Sequence, residues 1–397
     1  MKTQFYSEGF SNVIDFYMEN KKIKVLFRHR SMEMGGVEKV LLSMLNGLNK
    51  DKFEISLLLS LNQGELRDDI PKDIHFSYLV KGKEDFSKNP IINKIQLLWR
   101  RILLGFYTLF PSITYKLKTK NNFDIEIATT YGVYEDILKS PIKKSKKIAW
   151  LHSDLTYPTA QYAILKNLIK FDYIIYGALH TKNCNENAFK YNIPNSVIYN
   201  TIDIKNVLSK SKFEKIKFDD YPVFISVGRL HYRKGYYNLL QIHKRLIDEG
   251  FNHSIILIGN GEDYSNLTLQ ANQLKVQNTF KLLGGKKNPY PYIKAADFFI
   301  LPSESESYPL IIGETMVLKK PIISTNVGGI SEMIDHEVNG LLTEIDETSI
   351  YNAMVRFLTD KNLVENIIEN NKKAYLKFDN EKIYNQVENI LINLHKS

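Results

Sequence analysis

The chain has 397 residues, of which 44% are hydrophobic and 24% charged, so packed cores form without disulfide or metal staples. At about 150 residues per domain, this length predicts two or three domains. The single cysteine, Cys184, excludes an intramolecular disulfide, fits a reducing compartment and reads as a small buried hydrophobe.

Residues 1–22 carry Glu8, Asp15 and Glu19 and lack the continuous apolar stretch of a signal peptide. No window of about 20 uncharged apolar residues occurs, so no transmembrane helix is expected and a cytoplasmic location is. The net charge of +9 is unevenly placed. Residues 1–205 hold 30 Lys+Arg against 21 Asp+Glu, whereas the remainder holds 23 of each. The basic half therefore suits an anionic partner.

In chain order, Ile23–Phe27 reads as a strand, and Val37–Leu48 has helical spacing. Strand-like runs follow at Phe53–Leu59, Ile74–Val80, Ile125–Thr129, Ile148–His152, Tyr173–Tyr176 and Val197–Tyr199. Lys205–Tyr221 is polar and lysine-rich, is closed by Asp219-Asp220-Tyr221-Pro222, and reads as an interdomain linker. Beyond it, Val223–Val227, Ser254–Ile258, Phe280–Leu283, Phe298–Leu301, Ile322–Ser324 and Gly340–Leu342 read as buried strands. Helices fit at 235–249, 263–275, 289–295, 309–318 and 330–335, and 346–397 is helical. Alternation of this kind predicts an α/β chain with two doubly wound parallel sheets, each covered on both faces. The divisions are 1–205, 206–375 and a C-terminal helix, 376–397, packing back toward the first domain.

Ligands of open parallel sheets bind beyond the carboxyl ends of the strands, so the residues after each strand are the candidates. After Val223–Val227, Gly228 permits a tight turn, and Arg229, Arg233 and Lys234 crowd one strand-to-helix loop. Such cations either bind phosphate or are simply solvated. After Ser254–Ile258 come Gly259, Asn260 and Gly261, without the third glycine of a dinucleotide fingerprint. After Phe298–Leu301 the run Pro302-Ser303-Glu304-Ser305-Glu306-Ser307-Tyr308-Pro309 leads into a helix whose start offers free N–H groups to an anion. Glu304 and Glu306 could instead serve that helix start as favourable charges. Glu314 lies eight positions beyond Glu306 on an apolar helix, where a buried carboxylate needs a partner.

The spacing of Glu306 and Glu314 resembles the donor motif of retaining glycosyltransferases of family 4, which have the two-domain GT-B fold. Val227-Gly228-Arg229-Leu230 with Lys234-Gly235, Gly259-Asn260-Gly261, Pro302-Ser303 and Asn326-Val327-Gly328-Gly329 agree in order. The first half adds Gly35-Gly36-Val37-Glu38, Leu151-His152-Ser153 and Tyr199-Asn200-Thr201-Ile202-Asp203. The resemblance covers about 23 to 390, strongest over 223–342. It implies that two Rossmann-like domains face a cleft and bind a nucleotide diphosphate sugar. Arg229 and Lys234 would hold the diphosphate and Glu314 the ribose hydroxyls. Glu306 would contact the transferred hexose, helped by the backbone of Ser307, Tyr308, Pro309 and Leu310. Gly35 and Gly36 would admit the diphosphate from the opposite domain, and His152 would line the acceptor side. No Asp-x-Asp triplet occurs for a metal–diphosphate complex, so neither metal nor cofactor is expected. Ser307, Thr315 and Asn326 depart from the glycine, alanine and aspartate usual in that family.

Residues 86–120 contain seven basic and no acidic residues around an apolar middle that Arg100-Arg101 interrupts. The segment reads either as an interfacial helix on anionic lipid or as a core helix with basic flanks. Five lysines in 139–147 extend that basic face or form a solvated loop. On the interfacial reading the saccharide acceptor is lipid-linked and the enzyme is peripheral on the inner face of the membrane. A nucleotide-sugar epimerase or phosphorylase of the same fold, and a non-enzymatic partner subunit, are the alternatives. A nucleic-acid partner is disfavoured, because the basic stretch is too apolar and matches no binding module.

Overall fold

The computed structural model describes residues 21–119, 122–153, 164, 166–188, 192–218 and 221–397. The acidic residues of 1–20, the pair Asp219-Asp220 and Lys120 of the basic segment lie outside the described residues. The first sheet is formed by β1 Ile23–His29, β2 Phe53–Asn62, β3 His75–Lys81, β4 Ile125–Ala128, β5 Lys146–Leu151, β6 Tyr173–Tyr176 and β7 Asn195–Val197. Its order is β3-β2-β1-β4-β5-β6-β7. The second contains β8 Val223–Val227, β9 Ser254–Ile258, β10 Phe280–Leu282, β11 Phe298–Leu301, β12 Ile322–Thr325 and β13 Leu341–Thr343, ordered β10-β9-β8-β11-β12-β13. Every named pair is parallel.

The strand order reverses between β1 and β4 in one sheet and between β8 and β11 in the other. A crevice opens at such a switch point, because successive connections leave toward opposite faces. The glycines Gly35 and Gly36, Gly228, and the loop Pro302–Pro309 follow β1, β8 and β11, the strands that flank these switch points.

The central strands are short and apolar because both faces are covered; all five residues of β9 and all four of β11 are buried. Four expectations are corrected. The last first-sheet strand is Asn195–Val197 rather than Val197–Tyr199, because it pairs with β6 at the sheet edge, Ile174 opposite Asn195. Residues 330–335 supply only the 3₁₀ turn Ile330–Glu332. The proposed linker begins as a helix, Ile204–Lys210, capped by Asp203, whose side chain accepts from Asn206 N; Val207 is buried against second-sheet residues. Cys184 is half-buried, with Sγ 3.3 Å from His180 Nε2, rather than a core hydrophobe.

The C-terminal helix Asn380–Lys396 returns to the first sheet, where Ile383, Val387 and Leu391 join the cluster around Val25, Phe27 and Met44. The buried Glu388 accepts from Asn49 N and from Lys52 Nζ, both at 2.8 Å. Asn380 donates to Ile202 O at 2.9 Å and accepts from Ile202 N at 3.1 Å. The C-terminal helix is thus tied to the first domain by paired hydrogen bonds as well as by packing.

Under the second sheet, His243 and His253 are fully buried, their Nδ1 and Nε2 atoms 2.8 Å apart. His253 Nδ1 lies 2.8 Å from Phe251 O, an obligatory acceptor, so His253 carries its proton on Nδ1. His243 then donates from Nδ1 and accepts at Nε2 from Thr279 Oγ1, 2.9 Å away. Both imidazoles are neutral, and burial, then the neighbouring His253, pushes His243 down to about 3. A depressed histidine contributes stability above its unfolded value near 6.5 and loses it as pH falls from there toward the folded value. Urea unfolding should therefore show about 2 kcal/mol less stability from His243 at pH 5 than at pH 7.5. The difference should shrink in His243→Gln.

Candidate active site

The loop after β11 is clasped from both sides by glycines. Gly235 has φ +70°, and a Cβ there would lie 1.9 Å from Pro302 O. Gly328 has φ +59°, and a Cβ there would lie 1.6 Å from Glu306 O. No larger residue fits either place without moving the loop. Glu304 N donates to Arg233 O at 2.7 Å, and Gly329 N donates to Ser307 O at 2.6 Å. The loop is therefore fixed by the ends of β8 and β12 before any ligand arrives.

Within it, Lys234 Nζ lies 2.5 Å from Glu306 Oε1, which also accepts from Ser303 Oγ at 2.7 Å. Glu306 is largely buried and Ser303 fully so. A cation and a carboxylate thus meet at the end of β11, immediately before the helix Leu310–Val317. Gly36 opens the first-domain helix Gly36–Gly47, and its Cβ position lies 3.8 Å from Leu310 Cδ1. The glycine turn of one domain faces the helix start of the other. Gly35 leaves room for the Glu38 carboxylate, 2.2 Å from where a Cβ would be. Gly259 packs on the Gly228 carbonyl, 1.8 Å from a Cβ position, so the ends of β8 and β9 close together.

Arg229 does not join Lys234. Its guanidinium pairs with Glu262 at 3.3 Å, and 71% of its side chain is exposed. His231 Nε2 lies 3.5 Å from the same carboxylate. Ser307 does not open the loop to solvent: its Oγ lies 2.8 Å from Thr181 Oγ1 of the first domain. Tyr308 is gripped likewise, its carbonyl accepting from Asn200 Nδ2 at 3.2 Å and its ring 5.0 Å from that of Tyr199.

Glu314 is 5% exposed on the helix Leu310–Val317. Its Oε1 accepts from Lys39 Nζ at 2.6 Å and from Tyr290 OH at 2.9 Å. His152 follows β5 and stacks on Trp150 at 5.6 Å between ring centroids. Burial, reinforced by His29, pushes its imidazole down to about 3, so it offers neutral hydrogen-bonding nitrogens rather than a cation. Lys39, Tyr290, Thr181, Glu262 and Glu332 were not legible as site residues. Glu332 accepts from Leu179 N and His180 N at 2.9 and 2.8 Å, fastening the first-domain helix Leu179–Ala188 to the second domain. Only Lys39 carried a signal, as the residue directly after the run Gly35-Gly36-Val37-Glu38.

Two open parallel sheets whose switch points face one crevice, with a carboxylate–lysine pair and a helix start at its floor, define a GT-B protein of the glycosyltransferase class. Residues 209–374 match the family described as glycosyl transferases group 1. The N-acetyl-alpha-D-glucosaminyl L-malate synthase of Bacillus anthracis is 27% identical over 326 residues, 75% of this chain and 85% of that protein. The N-acetylgalactosamine-N,N'-diacetylbacillosaminyl-diphospho-undecaprenol 4-alpha-N-acetylgalactosaminyltransferase of Campylobacter jejuni is 24% identical over 374 residues, covering 89% and 95%. Among solved structures, HepE of Anabaena in complex with UDP-glucose superposes with a TM-score of 0.73 at 20% identity, over 94% of this chain and 100% of that one.

Proposed function

We propose that the chain is a retaining hexosyltransferase that moves a sugar from a nucleotide diphosphate donor to a saccharide acceptor, without a metal ion. The observation that carries this reading is the Lys234–Glu306–Ser303 cluster at the end of β11, opposite Gly36. Lys234 and the N–H groups at the start of Leu310–Val317 are aimed where diphosphate charge develops, and preorganised donors there stabilise the transition state. An acceptor hydroxyl oxygen forms the new bond to the anomeric carbon. The bond to the phosphate oxygen breaks with its electron pair, and that oxygen takes the acceptor proton. Glu306 orients the hexose hydroxyls, Glu314 the ribose, and neutral His152 the acceptor side. The test is release of nucleoside diphosphate from a panel of donor sugars, with the anomer of the transferred sugar read by NMR. An inverted product contradicts the retaining mechanism.

The acceptor is proposed to be lipid-linked, by analogy with the diphospho-undecaprenol saccharide in the Campylobacter relative's name. Helix Pro90–Leu109 packs its inner stripe, including Leu104 and Tyr107, on the first sheet. Its outer face is apolar: Ile91 is 71% exposed, Leu98 58%, Trp99 59% and Leu109 75%. Lys94 and Arg101 lie exposed among these residues, and 86–120 holds no acidic residue, so the face suits an anionic bilayer surface. Among the described residues no helix is long and apolar enough to cross a membrane. The protein should float with vesicles containing anionic lipid at low salt, and L98E/W99E should weaken binding about tenfold or more. Flotation indifferent to both lipid charge and L98E/W99E contradicts the membrane assignment.

A further inference from the structure

Lys39 is a first-domain residue that ends inside the second domain. It lies on Gly36–Gly47, one turn beyond the glycines that face the donor helix, and its ammonium reaches Glu314 Oε1 at 2.6 Å and Tyr290 OH at 3.4 Å. The Tyr290 hydroxyl donates to the same Oε1 at 2.9 Å. Both strong bonds therefore converge on one carboxylate oxygen and fix the plane of the group.

The charge balance makes the lysine matter. Glu314 is 5% exposed, and a buried carboxylate without a cation is strongly disfavoured. Tyr290 supplies a donor but no charge: burial, then Glu314 and Asp203, push its hydroxyl well up, so it stays protonated. Asp203, the cap of Ile204–Lys210, adds a second negative charge near that hydroxyl. Among the described residues, Lys39 is the cation bonded to Glu314 and Tyr290.

We infer that Lys39 is a positioning residue of the donor site, which holds Glu314 oriented so that its second oxygen meets the ribose hydroxyls. This rests on the ribose role given to Glu314 above. It also makes nucleotide affinity depend on domain closure, because the lysine and the carboxylate belong to different domains. A fixed carboxylate loses less freedom when ribose binds than a mobile one.

The dissociation constant of UDP, with GDP, ADP and dTDP substituted if UDP does not bind, should be measured at pH 8. Wild type, Lys39→Arg, Lys39→Met and Glu314→Ala are compared, with the ligand-free thermal midpoint of each as a folding control. Loss of a charged hydrogen bond predicts about tenfold weaker binding in Lys39→Met. Lys39→Arg should stay within about threefold of wild type, because the charge is kept. Wild-type affinity in Lys39→Met overturns the inference, as does a Lys39→Arg variant as weak as Lys39→Met. Wild-type affinity in Glu314→Ala overturns the ribose role itself, and no binding of any of the four nucleotides to wild type overturns both.

Discussion

Lys234→Met should lower kcat for nucleoside diphosphate release by about 30- to 1,000-fold, the equivalent of 2–4 kcal/mol of transition-state stabilisation. The lysine is directed by its setting. It closes the 3₁₀ turn Tyr232–Lys234, and the left-handed Gly235 that follows turns the chain under Pro302. Its ammonium sits 2.5 Å from Glu306 Oε1 in a pocket where both side chains are largely shielded. Charge interactions in such a setting are screened far less than at an open surface. The variant also leaves Glu306 with Ser303 as its remaining described partner, so hexose orientation suffers together with charge stabilisation. Arg229→Met should have the smaller effect, because that side chain stands on Glu262 and mostly in solvent. Initial rates at saturating donor separate the two; equal losses would mean that Arg229 swings in fully when donor binds.

Glu314→Ala should weaken nucleotide binding by about 10- to 150-fold, the range expected when hydrogen bonds to a charged group are lost. The change removes the acceptor proposed for the ribose hydroxyls and leaves Lys39 and Tyr290 without their shared partner. Stability without ligand should also fall, by about 1–3 kcal/mol, since a buried donor then faces an empty space. Glu314→Gln keeps the shape but not the charge and should fall between the two. Isothermal titration with the nucleotide that binds wild type checks the affinity; urea unfolding checks the stability.

The second domain was legible almost residue by residue, because its strands are buried on both faces and bounded by turn residues. Val223–Val227, Ser254–Ile258 and Phe298–Leu301 form the strands expected of them. The edge strand Asn195–Val197 was not, since a polar Asn-Ser-Val run carries no apolar signal. The helix hidden in the lysine-rich stretch, Ile204–Lys210, was obscured because only Val207 marks its buried side. At the site, local rules singled out Glu306 and Lys234, both in the loops that follow strands. They could not decide which of Arg229, Arg233 and Lys234 turns inward, because that depends on Glu262 and on the Pro302 loop. Contacts across the domain boundary, such as Lys39 with Glu314 or Thr181 with Ser307, join residues far apart in the chain and leave no pattern in it. The apolar middle of the basic segment 86–120 was visible, but which face of the helix Pro90–Leu109 met the sheet became clear only from its packing.

Thermal unfolding of wild type and Glu314→Ala with UDP, GDP, ADP and dTDP tests the donor site most directly. A ligand at about 100 times its dissociation constant should stabilise the wild type by about 2.7 kcal/mol. The account predicts such a rise with one of the four nucleotides in wild type and its loss in Glu314→Ala. No rise with any nucleotide, or an equal rise in the variant, would contradict it.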